Sequence, residues 1–579
     1  MSMVYNGRAD DNGGLIMFVR ISPRKKKNKT YYYAELVQSY RDAEGKPRHK
    51  RILYLGSVDL ELAKRLKIAF SKDFNSFTNV NKLEFSSSFS YGNYYLIDIL
   101  FKRFKMFEYF EKHFVSSDKH IRVRTALEYI KAMIFQRIIK ADSKLSLVEN
   151  HHMSPLKYFL KFEDDYERDK FLDIQSLYRS LEVLENNFSV VEKYLYELAT
   201  GYFNQNEKEL YYDITSSYFE GSKCIIAEFG YSRDKRKDKK QIVIGLVVTA
   251  NGFPIKCNIY PGNRLDKTTV VEVVRELKRE YPIEEVVFVG DRGMISSGNI
   301  NSIKELGEKF VMAVPRSWSK KYLKGVEIRE DKMDKIEDNL YSVVVSNSQG
   351  ERFLLCLNTE KREDSRSYRK MCINRTKEEL DKLIMGLGKN RRIKNRDDAM
   401  RKAGAISKLN YTGKYFKIRT EDSDENSLGF TVKYELNKKA IAEDSKLDGT
   451  FLIRTNEDKY SEKKLLEVYK NLSKVENAFK IIKNDLYLRP MNHRKESRVK
   501  GHVYLCVISY FIMNAIDYIS KKAGLNKSSR RIIRELESIN LIDIDLPNGE
   551  KRHALTRFND DIKRIMKGFE IKKIAIPKV

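Results

Sequence analysis

Between residues 208 and 314 the hydrophobic pattern alternates between two periods, and that alternation admits few folds. KELYYDITSSYF (208–219), QIVIGLVVTA (241–250) and FPIKCNIYPG (253–262) are β-branched and aromatic runs separated by turn signals such as Asn251-Gly252. LDKTTVVEVVRELKREY (265–281) then places apolar residues at helical spacing, and EEVVFVGD (284–291) returns to a strand. A further helix, NINSIKELGE, and a strand, KFVMAV, complete the stretch. Consecutive strands followed by helix–strand units predict a mixed α/β layer.

That order describes the first half of a ribonuclease-H-like core, and the rest of the chain is expected to be arranged around it. Residues 17–58 predict a small basic β-hairpin module, with TYYYAELVQSY, a turn at DAEGKPR and HKRILYLG. Residues 59–205 are helical in period and dotted with basic residues, as in a DNA-binding region or a solvated helical face. Residues 315–447 predict a β-rich insertion built from two hairpins around a charged helical stretch near 376–406. DGTFLIRTN (448–456) resembles a returning core strand, and long helices follow at about 461–488 and 494–523. The expected core is therefore 206–314 joined to 448–523, with a basic C-terminal region at 524–579.

Lys and Arg total 110 against 81 Asp and Glu, a net charge of +29. Such a surplus favours a polyanionic partner, nucleic acid above all, although a generally Lys-rich composition gives the same excess. The five cysteines (Cys224, Cys257, Cys356, Cys372, Cys506) form no CxxC pair, so neither a disulfide framework nor structural zinc is indicated, and a reducing cytoplasm suits them. The apolar run VYLCVISYFIMNAI (503–516) is too short to span a bilayer, and no signal peptide is visible, so no membrane role is expected. Met17 is an alternative start to Met1. No GxxxxGK[ST] occurs, so no nucleotide cofactor is implied.

Three acids stand out by position. Asp213 lies within an apolar strand, where a carboxylate either turns to solvent or is held by a partner. Asp291 ends VVFVG, at the carboxyl end of a strand, where open α/β sheets build their sites. Glu476 lies in YKNLSKVENAFKIIK, where Leu465, Leu472, Phe479 and Leu486, with Val468, Val475 and Ile482, form a two-column buried stripe. Glu476 falls at the rim of that stripe, sharing a column with Tyr469 and Lys483. The competing reading of Glu476 is a surface residue paired with Lys480.

At these residues the chain resembles the DDE transposases of bacterial insertion sequences, in the group marked by Tyr-x2-Arg-x3-Glu-x6-Lys. Tyr469, Glu476 and Lys483 match that pattern, and Leu472 replaces its arginine, with Lys470 and Lys474 nearby. YPGNRLDKTT (260–269), FVGDRGMISSGNI (288–300), DGTFLIRTN and MNHRKESRVKGHVYLC (491–506) look like family blocks in the right order. The amino-terminal module resembles that of one subgroup.

The resemblance implies that Asp213, Asp291 and Glu476 hold two Mg²⁺ ions, with Mn²⁺ as a substitute, for cleavage of transposon-end DNA and its joining to target DNA. Oxygen ligands suit such hard cations. Tyr469, Lys483, Arg292, Lys474, His493 and Arg494 would contact DNA, with Arg292 alternatively a partner of Asp291 and His493 and His502 alternatively packed residues. The resemblance also implies a homodimer on double-stranded DNA and a cytoplasmic, nucleoid-associated protein. Trp318 is either a base-stacking residue of the insertion or core. The alternatives to an active transposase are a silent DNA-binding remnant and a metal-dependent nuclease.

Overall fold

The computed structural model describes residues 17–577, apart from 27–28, 70–83, 163–171, 206–207, 222, 266–267, 284, 295, 324, 349, 390–392 and 547–549. The chain divides into two compact units. The smaller comprises Met1–Tyr91, Ser538–Phe558 and Ile574–Val579, and the larger comprises Gly92–Glu537 and Asn559–Lys573.

In the smaller unit, the alternating runs of the amino-terminal module form a three-stranded antiparallel sheet rather than a hairpin, with β1 (Met17–Lys26), β2 (Lys29–Arg41) and β3 (Pro47–Val58) in that order. The turn before β3 is made by Asp42, whose Oδ1 accepts the Lys46 N–H at 2.8 Å, and by Gly45 at φ 77°. β4 (Glu84–Ser90) pairs with the strand Asn540–Asp545, which also pairs with Lys551–Leu555. The region from 524 onward thus supplies two strands to this unit.

The larger unit is organised by one nine-stranded sheet. Its strands are β5 (Glu209–Tyr218), β6 (Gln241–Val248), β7 (Pro254–Pro261), β8 (Val287–Gly290), β9 (Lys309–Ala313), β10 (Asp334–Glu337), β11 (Leu340–Ser348), β12 (Glu351–Asn358) and, after the two-stranded hairpin β13 (Phe416–Asp422) and β14 (Phe430–Leu436), β15 (Thr450–Thr455). The order across the sheet is β10-β11-β12-β15-β9-β8-β5-β6-β7. β5, β8 and β9 run parallel, and their neighbours pair antiparallel. β6 is buried throughout its length, so it reads as a continuous apolar run instead of an alternating one.

The segment 315–447 departs from its expected β-rich character. β10 to β12 extend the large sheet beside β15. The remainder is mainly helical, with Thr359–Met385, Arg396–Leu409 and Lys438–Ser445. These helices and the β13–β14 hairpin bury their own cluster, including Leu380, Leu383, Ala403, Phe416, Phe430 and Val432. The charged sequence of the first two helices conceals a stripe just wide enough to cover one small hairpin.

Helix Glu496–Lys522 contains the run 503–516 and is long and apolar enough to cross a membrane, but most of its apolar window is buried inside the protein. It packs against helices Ile174–Asn186 and Val123–Ile139. At Gly501 the approach is tight: a Cβ there would stand 2.2 Å from the Leu181 carbonyl oxygen. Gly501→Ala is expected to destabilise the larger unit by about 1–3 kcal/mol through overpacking against backbone. This outweighs the roughly 1 kcal/mol gained in helix propensity. A urea titration checks it, and an unchanged or raised midpoint refutes the tight crossing.

Candidate active site

Two of the three acids lie on or just beyond adjacent parallel strands. β5 and β8 pair in parallel up to Tyr211 opposite Val289. Asp213 comes two residues further along β5, and Asp291 follows Gly290 just past the end of β8, so both lie shortly beyond the point where the parallel pairing stops. β8 is only four residues long and stops at Gly290, which leaves the β5 edge open from that point. Asp291 Oδ1 accepts the Arg292 N–H at 2.6 Å, which fixes the turn that ends the strand.

Glu476 approaches from the other direction. The helix expected over 461–488 is broken into three pieces, Glu462–Lys470, Ser473–Lys480 and a π-helical turn Ile481–Asp485. The predicted stripe is nevertheless buried at every position from Leu465 to Leu486. The middle piece packs across β5 and β6, and Glu476 is exposed at the edge of its buried face. Leu472 is buried at the break, where it serves as the helix N-cap position without a side-chain cap.

Asp213 registers both other acids. Burial pushes its carboxyl up to about 7, opposed by the Ile214 N–H and the Arg233 charge and reinforced by the charges of Asp291 and Glu476. Asp291, Glu476 and Tyr469 also line one open cleft of about 610 Å³, together with Arg292, Arg316, Lys361 and Lys470. Tyr469 stacks on Phe451 at 5.8 Å, and burial, followed by the charge of Asp291, lifts its phenol to about 12. It therefore stays a neutral hydrogen-bond donor at the cleft wall. Among the described residues, no three His, Cys, Asp or Glu side chains form a ready-made metal-holding cluster. What the site offers is a set of mutually repelling oxygen donors, which is the donor chemistry of hard divalent cations and a charge imbalance that such a cation cancels.

The other sequence-derived residues divide. Arg292 is exposed on the cleft, with Nε 3.8 Å from Asp291 Oδ1. Lys474 and Arg494 are exposed, without an ion-pair partner among the described residues. Lys483 is not at the surface: it is buried, and its Nζ donates to Asp234 Oδ1 at 2.8 Å. His493 packs edge-on to Tyr178 and His502, and burial, with Lys144 and Arg137 nearby, drives its pKa down to about 2. It carries no charge for DNA. Trp318 is half-buried on the helix Arg316–Tyr322. The sequence reading missed Arg233, Arg316 and Lys361; for Arg233 the available signal was the basic run SRDKRKDKK at 232–240.

The profile of the transposase DDE domain matches residues 211–512, a span that holds all three acids and more than half of the chain, and the amino-terminal domain of IS1634 family transposases matches residues 19–75. The chain belongs to the insertion-sequence DDE transposases. This transposase has no match among curated proteins. Among solved structures, the piggyBac transposase in a synaptic complex with hairpin DNA aligns with 76% of the transposase and 79% of its own chain, at 10% identity and a TM-score of 0.37. Marinitoga piezophila Argonaute, in complex with a 5′-OH guide RNA, aligns with 62% of the transposase and 75% of its own chain, at 12% identity and a TM-score of 0.14.

Proposed function

We infer that this transposase binds the ends of its own element, hydrolyses a phosphodiester bond there and joins the freed 3′ end to target DNA. The observation that carries the reading is that Asp291 and Glu476 line one basic-rimmed cleft while Asp213, on the strand β5 against which the Glu476 helix packs, feels the charge of both. The order β7-β6-β5-β8-β9, antiparallel then parallel, supports a ribonuclease-H-like core, with 315–447 as the insertion between β9 and β15.

Asp213, Asp291 and Glu476 would hold two Mg²⁺ ions, or Mn²⁺ in their place. When bound, such ions lower the pKa of an attacking hydroxyl and neutralise the leaving oxygen. The chain's own groups supply the rest. Asp213 would supply a buried carboxylate from β5, the Tyr469 hydroxyl would donate a hydrogen bond to a phosphate oxygen, and Arg292 and Lys361 would orient the backbone at the cleft mouth. The net +29 charge draws duplex DNA to the protein and makes binding fall steeply with salt. The acting species is a homodimer that pairs two ends, in the cytoplasm and associated with the nucleoid.

The test is incubation of the full chain with labelled DNA carrying the flanks of its gene, in Mg²⁺. Cuts at defined ends followed by joined products are expected. Hydrolysis without joining identifies a nuclease, and tight end binding without cutting identifies a DNA-binding remnant.

A further inference from the structure

The loop between β5 and β6 has a rigid frame, yet it holds none of the three acids. A Cβ on Gly230 would stand 2.1 Å from the Gly262 carbonyl oxygen, so the loop's return path tolerates no side chain there. Gln241, buried, donates from Nε2 to the carbonyls of Tyr231 at 3.1 Å and Gly262 at 2.9 Å. Further along, Ser216 Oγ on β5 accepts the Arg233 N–H at 3.0 Å. Arg236 forks onto Asp238 at 2.9 and 2.8 Å and lies over the Tyr218 ring at 5.1 Å.

Asp234 is the pivot of the loop. Its side chain is 4% exposed, and Oδ1 accepts from both Lys483 Nζ at 2.8 Å and Arg489 Nη1 at 2.6 Å. Lys483 therefore reaches a DNA phosphate only by abandoning a buried ion pair. Leu472, buried and apolar, supplies no cation either. Arg233, next to Asp234, is tied through its N–H to Ser216 Oγ on the same strand as Asp213, three residues along from it, and its charge opposes the rise in the Asp213 pKa. A guanidinium is also suited to a phosphate by its planar fork of donors.

We propose that Arg233 contacts the DNA phosphate beside Asp213, and that Lys483 and Arg489 are positioning residues that hold it there through Asp234. This rests on the transposase reading of the carboxylate site. Arg233→Ala then lowers end cleavage by roughly 10²-fold, with end binding changed far less and Arg233→Lys recovering part of the loss. Lys483→Met and Asp234→Asn give equal losses, and the double variant is no worse than either. Lys483→Arg, which keeps the bond to Asp234, stays near wild type. Limited trypsin digestion reads the anchor without any activity: both anchor variants are cut faster within 233–240 than wild type.

Wild-type cleavage by Asp234→Asn alongside failure of Lys483→Met would mean that Lys483 itself touches DNA, and would overturn the proposal. So would unaltered tryptic cutting in both anchor variants, or unaltered cleavage by Arg233→Ala. A wild-type protein that cuts no DNA at all overturns the transposase reading and the role of Arg233 with it; the anchor is then judged on trypsin alone.

Discussion

Glu476→Gln abolishes end cleavage while leaving end binding intact. The substitution keeps side-chain volume and removes one charge from a residue that is already exposed, so it leaves no cavity and no buried orphan. On the proposed reading, what is lost is one anionic ligand of a site whose chemistry depends on neutralising charge at the reacting phosphate. Removing even a single well-placed electrostatic group of that kind costs roughly 10²–10³-fold in rate, and loss of an ion costs more. Asp213→Asn and Asp291→Asn are expected to match it, and combining any two adds little, because the three act as a unit. Gel-shift affinity for the ends is expected to hold or to tighten slightly as repulsion of phosphate falls. Cleavage by Glu476→Gln at the wild-type rate would mean that another acid completes the site. Equal loss of binding would mean that the substitution damaged the fold instead.

The sheet was legible because its signals are local. The strands from 208 to 314 appear where runs of Val, Ile and aromatic residues end at Gly, Asn or Pro, and β5 to β9 occupy those runs. Asp213 and Asp291 stood out for the same reason, as charges at a strand interior and a strand end. The stripe from Leu465 to Leu486 was correct as burial and misleading as geometry, since periodicity registers which residues face the core but not the break at Asn471–Leu472. Lys483 was illegible as an anchor. Its partner Asp234 lies 249 residues away, and only tertiary packing brings them together. For His493 the sequence left a DNA contact and a packed residue open, because a basic neighbourhood, KESRVK, says nothing of the burial that keeps the ring neutral. The helices of 359–409 were obscured by charge, because they need only a narrow stripe to cover one hairpin.

Asp213 gives the metal-free protein a distinctive dependence on pH. Its folded-state pKa of about 7 lies above the value of about 3.9 for an unfolded chain. Between those values the folded state keeps a proton that the unfolded state has lost, so stability falls as pH rises through this window and the contribution is gone above about 7. Glu192, buried against Lys256 Nζ at 3.1 Å and likewise pushed up to about 7 by burial, titrates over the same range, so the wild-type curve alone does not isolate Asp213. The difference between wild type and Asp213→Asn does. In EDTA, the melting temperature of wild type is expected to drop more between pH 5 and pH 8 than that of Asp213→Asn, leaving the variant the more stable protein at pH 8. Millimolar Mg²⁺ should raise the wild-type melting temperature at pH 8 but scarcely at pH 5, where the proton competes with the ion, and should do little for the variant at either pH. Parallel EDTA curves would show that burial does not hold the Asp213 carboxyl above its ordinary range. A Mg²⁺ effect equal in both proteins would place the ion elsewhere. The cost of holding a buried carboxylate beside two other acids is one that a divalent cation relieves, so the acid that weakens the resting protein is among those expected to make it an enzyme.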